Sequence, residues 1–351
     1  MRATIIHGPG DIRVEDRDYP AVQLPTDAVV RVTAACVCGS DLWPYRGVKP
    51  VRHASAIGHE FVGVVESTGA DVSSLRAGDF VIAPFVVSCG QCPQCLNGVT
   101  VACDRLAGWG GTDDAGLAVD GGQGQAVRVP LAASTLVKVP GVTEPDAKLR
   151  NSLLTLSDVM ATGHHAAVSA QVRPGRTVVG VGDGAVGLCG VLAAKRLGAE
   201  RIIAMSRHAD RQAVAREFGA TDVVEERGDD GVAKVRELLG GVLADSVLEC
   251  VGTKESMEQA LHSARPGGAL GFVGVPTGGA EIPLRYLFDK NIAVSGGMAP
   301  ARTYIPELLK DVLSGAINPG RVFDVEMPLE DAAEAYKAMD ERRAIKVLLT
   351  P

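Results

Sequence analysis

From residue 1 to about 155, apolar positions come in short runs: Thr4–Ile6, Val29–Thr33, Phe61–Glu66, Phe80–Pro84 and Ala126–Val129. Gly, Pro and Asp punctuate these runs, and helical periodicity is scarce between them. Such a pattern predicts short strands joined by tight turns. A β-rich, barrel-like domain is therefore expected over 1–155. It carries a long loop over about 86–125, where two glycine clusters fall (Gly108–Gly111 and Gly121–Gly124).

The pattern changes near residue 170. Thr177–Val181 is a continuous apolar run, suited to a strand buried on both faces. A glycine-rich turn follows, then an Ala/Leu/Val helix that runs to Leu197. Further strands are expected at Arg201–Met205, Thr221–Val224, Ser246–Glu249, Ala269–Gly274 and Ile292–Ser295, with a helix at Ala209–Phe218. Strand and helix alternate, which predicts a parallel, doubly wound α/β sheet over 156–294. Beyond 295 the pattern gives a helix (Tyr304–Ser314), a strand near Val322–Pro328, a helix (Leu329–Met339) and a closing strand in AIKVLLTP. Segment 295–351 is expected to rejoin the first domain.

A length of 351 residues fits two domains of about 150 residues each. With 46% hydrophobic and 22% charged residues, the chain has the balance of a folded globular protein. The net charge is −7 and no long Lys/Arg run appears, which argues against nucleic-acid and anionic-membrane partners. The longest apolar stretch, Val178–Ala194, contains Asp183 and five glycines and is no membrane span. The N-terminal residues have no apolar signal core, so no export is expected and a cytoplasmic location is. Eight cysteines in such a chain call for a role other than disulfides.

Four of them, Cys89, Cys92, Cys95 and Cys103, are spaced C-x2-C-x2-C-x7-C. Four thiolates this close on a looping backbone can converge as a tetrahedron around Zn²⁺. With every position filled by protein, such a zinc is structural and staples a loop that has little core of its own. An iron–sulfur cluster is the rival, since it also takes four thiolates.

A second set of ligand types is scattered: Cys38 in Cys-Gly-Ser-Asp, His59 in Gly-His-Glu, and Asp158 in Leu-Ser-Asp-Val-Met-Ala-Thr-Gly. Thiolate, imidazole and carboxylate all bind zinc, and three protein ligands leave a fourth position open for catalysis. Spacing alone cannot join residues so far apart. Taken singly, His59 reads as a hydrogen-bonded core histidine, Asp158 as a helix N-cap and Cys38 as a small buried hydrophobe.

Near 180 a G-x-G-x-x-G turn (Gly182, Gly184, Gly187, with Ala185 and Val186 between) lies between a buried strand and a helix. The glycines serve a tight turn, backbone approach to a pyrophosphate, and close strand–helix packing. The helix start offers free N–H groups to phosphate. The next strand ends at Ser206-Arg207-His208, with Arg211 one turn on and no carboxylate at the strand end. A hydroxyl followed by two guanidinium groups suits a 2′-phosphate, so NADP(H) is expected over NAD(H).

The order Cys38-Gly-Ser-Asp, Gly58-His-Glu-Phe-Val-Gly63, cysteine cluster and dinucleotide turn resembles the zinc-dependent alcohol dehydrogenase family of the medium-chain dehydrogenase/reductase superfamily. The match covers nearly the whole chain. It implies a GroES-like catalytic domain and a Rossmann domain, with two Zn²⁺ per chain. Cys38, His59 and Asp158 would bind the catalytic zinc, Glu60 would stand close enough to exchange onto it, and Asp41 would orient the imidazole. Ser40 would pass the proton. Many family members carry a histidine where this chain has Trp43, so the rest of the relay differs here. Trp43, Tyr45, Trp109 and Met298 are candidate pocket walls, with simple packing the other reading of the aromatics.

By the same resemblance Thr162 packs beside the nicotinamide, and turns at Val251 and Gly274 border it. Lys346 is placed at the pyrophosphate. The expected reaction is hydride transfer between NADP(H) and an alcohol/ketone or aldehyde pair, in a dimer or tetramer of this chain. The alternatives are a zinc-free reductase of activated C=C bonds and a non-catalytic NADPH-binding protein.

Overall fold

The computed structural model describes residues 1–276, 279 and 281–351. The chain divides into two compact units, one of Met1–Asp158 with Pro300–Pro351, the other of Val159–Ala299. The boundaries expected from sequence, at 155/156 and 294/295, lie a few residues before these breaks.

The first unit is built on a seven-stranded sheet. Ala28–Cys36 lies at its centre, antiparallel to Phe61–Thr68, Ala126–Val129 and Val347–Thr350. Phe61–Thr68 pairs in turn with Phe80–Ala83. Val325–Pro328 runs parallel to Val347–Thr350, so the C-terminal segment completes this sheet. Val30 and Val32 are buried while Arg31 between them is exposed, the period-two alternation of a strand with one face on the core. A three-stranded sheet, with Arg2–Gly8 between Asp11–Asp16 and Ser55–Ala56, lies beside it.

Two features of this unit escaped the sequence pattern. Ala147–Thr155 is a helix, capped by Asp146, whose Oδ1 accepts from the Leu149 N–H at 2.8 Å. Arg128 is 1% exposed, with Nε 2.7 Å from Asp27 and Nη2 2.6 Å from Asp113. Its Nη1 also donates to the Ala118 carbonyl, so one buried guanidinium ties the long loop to the sheet.

The second unit holds six parallel strands. In space they run Asp222–Val224, Arg201–Met205, Thr177–Val181, Ala244–Glu249, Ala264–Phe272 and Ala293–Gly296. This is the 3-2-1-4-5-6 order of a Rossmann sheet. Val178, Val179 and Val181 are all buried, as expected of a strand covered on both faces. The helices Val159–Ser169, Gly228–Leu238 and Lys254–Ser263 were not marked by apolar period. Among the described residues no helix is long and apolar enough to cross a membrane.

Candidate active site

Cys38 follows the central strand of the first unit and opens the short turn Gly39–Asp41. His59 and Glu60 stand just before Phe61–Thr68. Gly58 has φ +96°, and a Cβ there would lie 2.4 Å from Gln123 Cγ, so only glycine delivers His59 at this angle. Asp158 closes the N-terminal part of the same unit. Cys38, His59, Glu60 and Asp158 each offer a ligand atom, all within 4.8 Å of one another.

Cys38 Sγ is 3.6 Å from Asp158 Oδ2, and His59 Nε2 is 3.2 Å from the same oxygen. Ligands at zinc bond lengths on a tetrahedron lie about 3.3 Å apart for N and O, and about 3.5 Å for S and O. Asp158 thus sits at zinc-ligand separations from both Cys38 and His59, side chains from separate stretches of the chain. Glu60 supplies a further sign: its Oε2 is wholly buried with no nitrogen or oxygen partner among the described residues.

The surroundings hold these groups in place. Asp41 is buried, with Oδ1 3.2 Å from His59 Nδ1, while Oδ2 accepts from the Cys38 N–H at 3.0 Å and from Gln123 Nε2 at 3.3 Å. A ligand imidazole needs such a partner to fix its tautomer. Gln123 also donates to the Cys36 carbonyl and accepts from the buried Tyr336 hydroxyl. The Phe85 ring meets His59 edge-on, 6.4 Å between centroids. Neither residue was found from sequence: Gln123 lies in a glycine cluster that resembles any loop, and Phe85 in a strand end.

Burial pushes the Cys38 thiol up, helped by the charges of Glu60 and Asp158. For His59 burial works the other way, but Asp41, Cys38 and Asp158 outweigh it and hold the imidazole well above its ordinary range. Without a cation the cluster therefore keeps its protons, and binding a divalent ion must release them.

Lys346, expected at the pyrophosphate, is 1% exposed, and its Nζ lies 2.7 Å from Glu60 Oε1 and 3.2 Å from the Val37 carbonyl. The ammonium is engaged inside the first unit, beside the metal-ligand cluster. Two of the wall candidates take the packing alternative. Trp109 is edge-on to Phe61 at 4.9 Å and its Nε1 donates to the Pro84 carbonyl. Tyr45 packs at 5.6 Å on Tyr336. Both are core packing. Trp43 is half-buried, Ser40 is exposed on its turn, and Met298 is exposed.

The other four-residue cluster is Cys89, Cys92, Cys95 and Cys103, with all four sulfurs within 4.8 Å of one another. Cys92 and Cys103 sulfurs are 4.0 Å apart, against about 3.8 Å for two thiolates on one tetrahedral zinc. None forms a disulfide. Backbone N–H groups of Cys89 and Arg105 point at Cys103 Sγ, and that of Cys92 at Cys89 Sγ, the donors a bound thiolate needs. N–H groups of Asp104 and Cys95 pull the Cys92 thiol down to about 6, while burial pushes Cys95 up to about 12.

In the second unit, Gly187 has no room for a side chain: a Cβ there would lie 2.0 Å from the Gly182 carbonyl oxygen. A Cβ on Gly184 would meet nothing, so the backbone at the start of helix Ala185–Arg196 is open to a ligand. That is the shape a pyrophosphate requires. Thr162 is half-buried on its helix, and Val251 is exposed at the end of the fourth strand. The Val251–Gly252 turn is shaped by buried Glu249, which accepts from both N–H groups and from Ser256 Oγ; Gly274 follows the next strand. Glu249 was also missed, because nothing in sequence marks a carboxylate that serves a turn.

At the second strand the structure changes the picture. Ser206 is fully buried, and its hydroxyl donates to Asp183 Oδ2 at 2.8 Å. Arg211 Nη1 lies 3.3 Å from both the carboxylate and the backbone carbonyl of Asp183, and Arg227 Nη2 lies 3.9 Å from it. Arg207 is exposed. A carboxylate does stand at this corner, supplied by the glycine turn and not by the strand end.

Residues 24–141 match the alcohol dehydrogenase GroES-like domain family, and residues 185–314 the zinc-binding dehydrogenase family. Zinc-type alcohol dehydrogenase B of Aspergillus flavus is 33% identical over 99% of this chain and 81% of its own. Alcohol dehydrogenase TADH of Thermus sp. ATN1 superposes with a TM-score of 0.90 at 34% identity, covering 100% of this chain and 99% of that one. A chain of Sinorhizobium meliloti 1021, described as a zinc-binding dehydrogenase and bound to NADP, superposes at 0.84 with 27% identity, covering 100% and 99%.

Proposed function

Since this chain belongs to the zinc-dependent alcohol dehydrogenase family of the medium-chain dehydrogenase/reductase superfamily, we propose that it interconverts an alcohol and its ketone or aldehyde with NADP(H). The observation that carries this is the meeting of Cys38, His59 and Asp158, with Glu60 beside them, close enough to share one zinc ion. When bound, zinc acts as a Lewis acid on the substrate oxygen and the nicotinamide exchanges the hydride.

The chain's own residues do the rest. Cys38, His59 and Asp158 hold the catalytic ion, and Asp41 keeps His59 Nδ1 protonated so that Nε2 presents its lone pair. Lys346 engages Glu60 Oε1, which leaves the buried Oε2 available to approach the ion. Ser40, at the solvent side of the turn, takes the alcohol proton through its hydroxyl. Cys89, Cys92, Cys95 and Cys103 hold the second, structural zinc.

The basic corner of Ser206, Arg207 and Arg211, joined by Arg227, supports NADP(H), as does the NADP-bound relative. Metal analysis with an alcohol and carbonyl panel, run with both nucleotides, tests the proposal. Two zinc ions per chain, turnover lost with the more labile ion, and higher kcat/KM with NADPH than NADH are expected. Full turnover with one zinc or none would refute the zinc chemistry, and preference for NADH would refute the nucleotide assignment.

A further inference from the structure

The inference concerns Asp183 and rests on the NADP(H) reading. The first two strands of the Rossmann sheet run parallel in register, Val181 opposite Met205. The residues that follow on each strand are therefore neighbours: the turn Gly182-Asp183-Gly184 on one side, Ser206-Arg207 on the other. The end of the second strand is where such folds read the adenosine ribose. A carboxylate there accepts from the 2′-hydroxyl of NAD(H), while hydroxyl and guanidinium groups donate to the 2′-phosphate of NADP(H).

This corner has both chemistries at once. Asp183 Oδ2 accepts from Ser206 Oγ at 2.8 Å and faces Arg227 at 3.9 Å, and Oδ1 faces Arg211 at 3.3 Å. The carboxylate thus engages a hydroxyl and two guanidinium groups, the donor types that suit a 2′-phosphate. Its side chain is 15% exposed, so a ligand reaches it at the rim. Burial acts against the charged form, but the Ser206 hydroxyl and the nearby Arg211, Arg227 and His208 keep the carboxyl below its usual range. It stays ionised and opposes a dianion.

We propose that Asp183 is a specificity-determining residue that opens the site to both nucleotides: its carboxylate takes the 2′-hydroxyl of NAD(H), and its charge tempers the pull of the arginines on the 2′-phosphate of NADP(H). Asp183→Asn keeps the shape and an acceptor for Ser206 but removes the charge.

Calorimetric binding of adenosine 2′,5′-bisphosphate, 5′-AMP and 2′-deoxy-5′-AMP to the zinc-loaded enzyme measures the effect without turnover. In the wild type, loss of the 2′-hydroxyl is expected to weaken binding about tenfold, on the scale of a charged hydrogen bond. In Asp183→Asn that penalty falls toward unity, and preference for the bisphosphate over 5′-AMP rises at least about tenfold. The kcat/KM ratio of NADPH to NADH moves with it. Arg211→Gln is expected to weaken the bisphosphate alone.

A bisphosphate preference unchanged within about twofold in both Asp183→Asn and Asp183→Ala overturns the inference. A wild type with no preference for the bisphosphate overturns the NADP(H) reading instead; a preference that then appears in Asp183→Asn leaves the role of Asp183 standing.

Discussion

Replacing Asp41 by Asn probes how the catalytic-zinc site is held. Three donors converge on its two oxygens: His59 Nδ1 at 3.2 Å, the Cys38 N–H at 3.0 Å and Gln123 Nε2 at 3.3 Å. An amide offers one oxygen and one NH₂. Turned one way, it sets an NH₂ against the imidazole N–H; turned the other, against the Cys38 and Gln123 donors. Either way a buried donor loses its acceptor, and the ring that presents Nε2 is free to rotate. Loss of such a partner costs about 10–100-fold in metal affinity, or about 1.4–2.7 kcal/mol. Competition with a chromophoric chelator measures it, with the four-cysteine zinc as an internal reference that should not change. Excess zinc should restore most of the turnover, since no ligand has been removed. Catalytic-zinc affinity within twofold of wild type would refute the reasoning, because the imidazole would then be held by packing alone.

Three other outcomes follow from the same coordinates. Lys346→Met leaves the Glu60 carboxylate buried without its cation, a loss of about 3–5 kcal/mol. That is a fall of about 6–20 °C in Tm at fixed zinc; Glu60→Gln in the same chain should recover much of it, and an unchanged Tm would show that the pair is neutral. Cys103→Ser should reduce bound zinc from two to one per chain and expose residues 86–125 to proteolysis; a second zinc retained by mass spectrometry would contradict the assignment. Gly187→Ala drives a methyl to 2.0 Å from the Gly182 carbonyl oxygen, so dinucleotide affinity should drop by more than about tenfold while zinc content stays at two.

What could be read in the sequence were features whose chemistry is local. The cysteine run is a ligand set by spacing alone, and the glycine turn is legible because strand, turn and helix are contiguous. Cys38, His59 and Asp158 are 21 and 99 residues apart in sequence, and only resemblance joined them. Invisible were residues that act across the fold. Gln123 and Tyr336 connect to Asp41 through hydrogen bonds spanning 82 and 213 residues. Nothing in the sequence singles out Asp183, because the strand pairing that sets it against Ser206 exists only in the folded sheet. Lys346, which the resemblance places at the pyrophosphate, has Glu60 and the Val37 carbonyl as its neighbours in space.

The placement of Lys346 also explains how the metal site tolerates so much acid. Cys38, Asp41, Glu60 and Asp158 all lie buried or nearly so around His59, and among the described residues Lys346 is the lysine bonded into the group. Four acidic groups so close cannot all ionise against one ammonium and the His59 imidazole in a low-dielectric interior. A divalent cation changes that balance: it lets the Cys38 thiol and the His59 imidazole shed their protons and leaves Glu60 paired with Lys346. The arrangement is costly as a merely structural core and economical as a zinc site. With zinc held as proposed, the lysine would keep Glu60 beside the ion while engaging its Oε1.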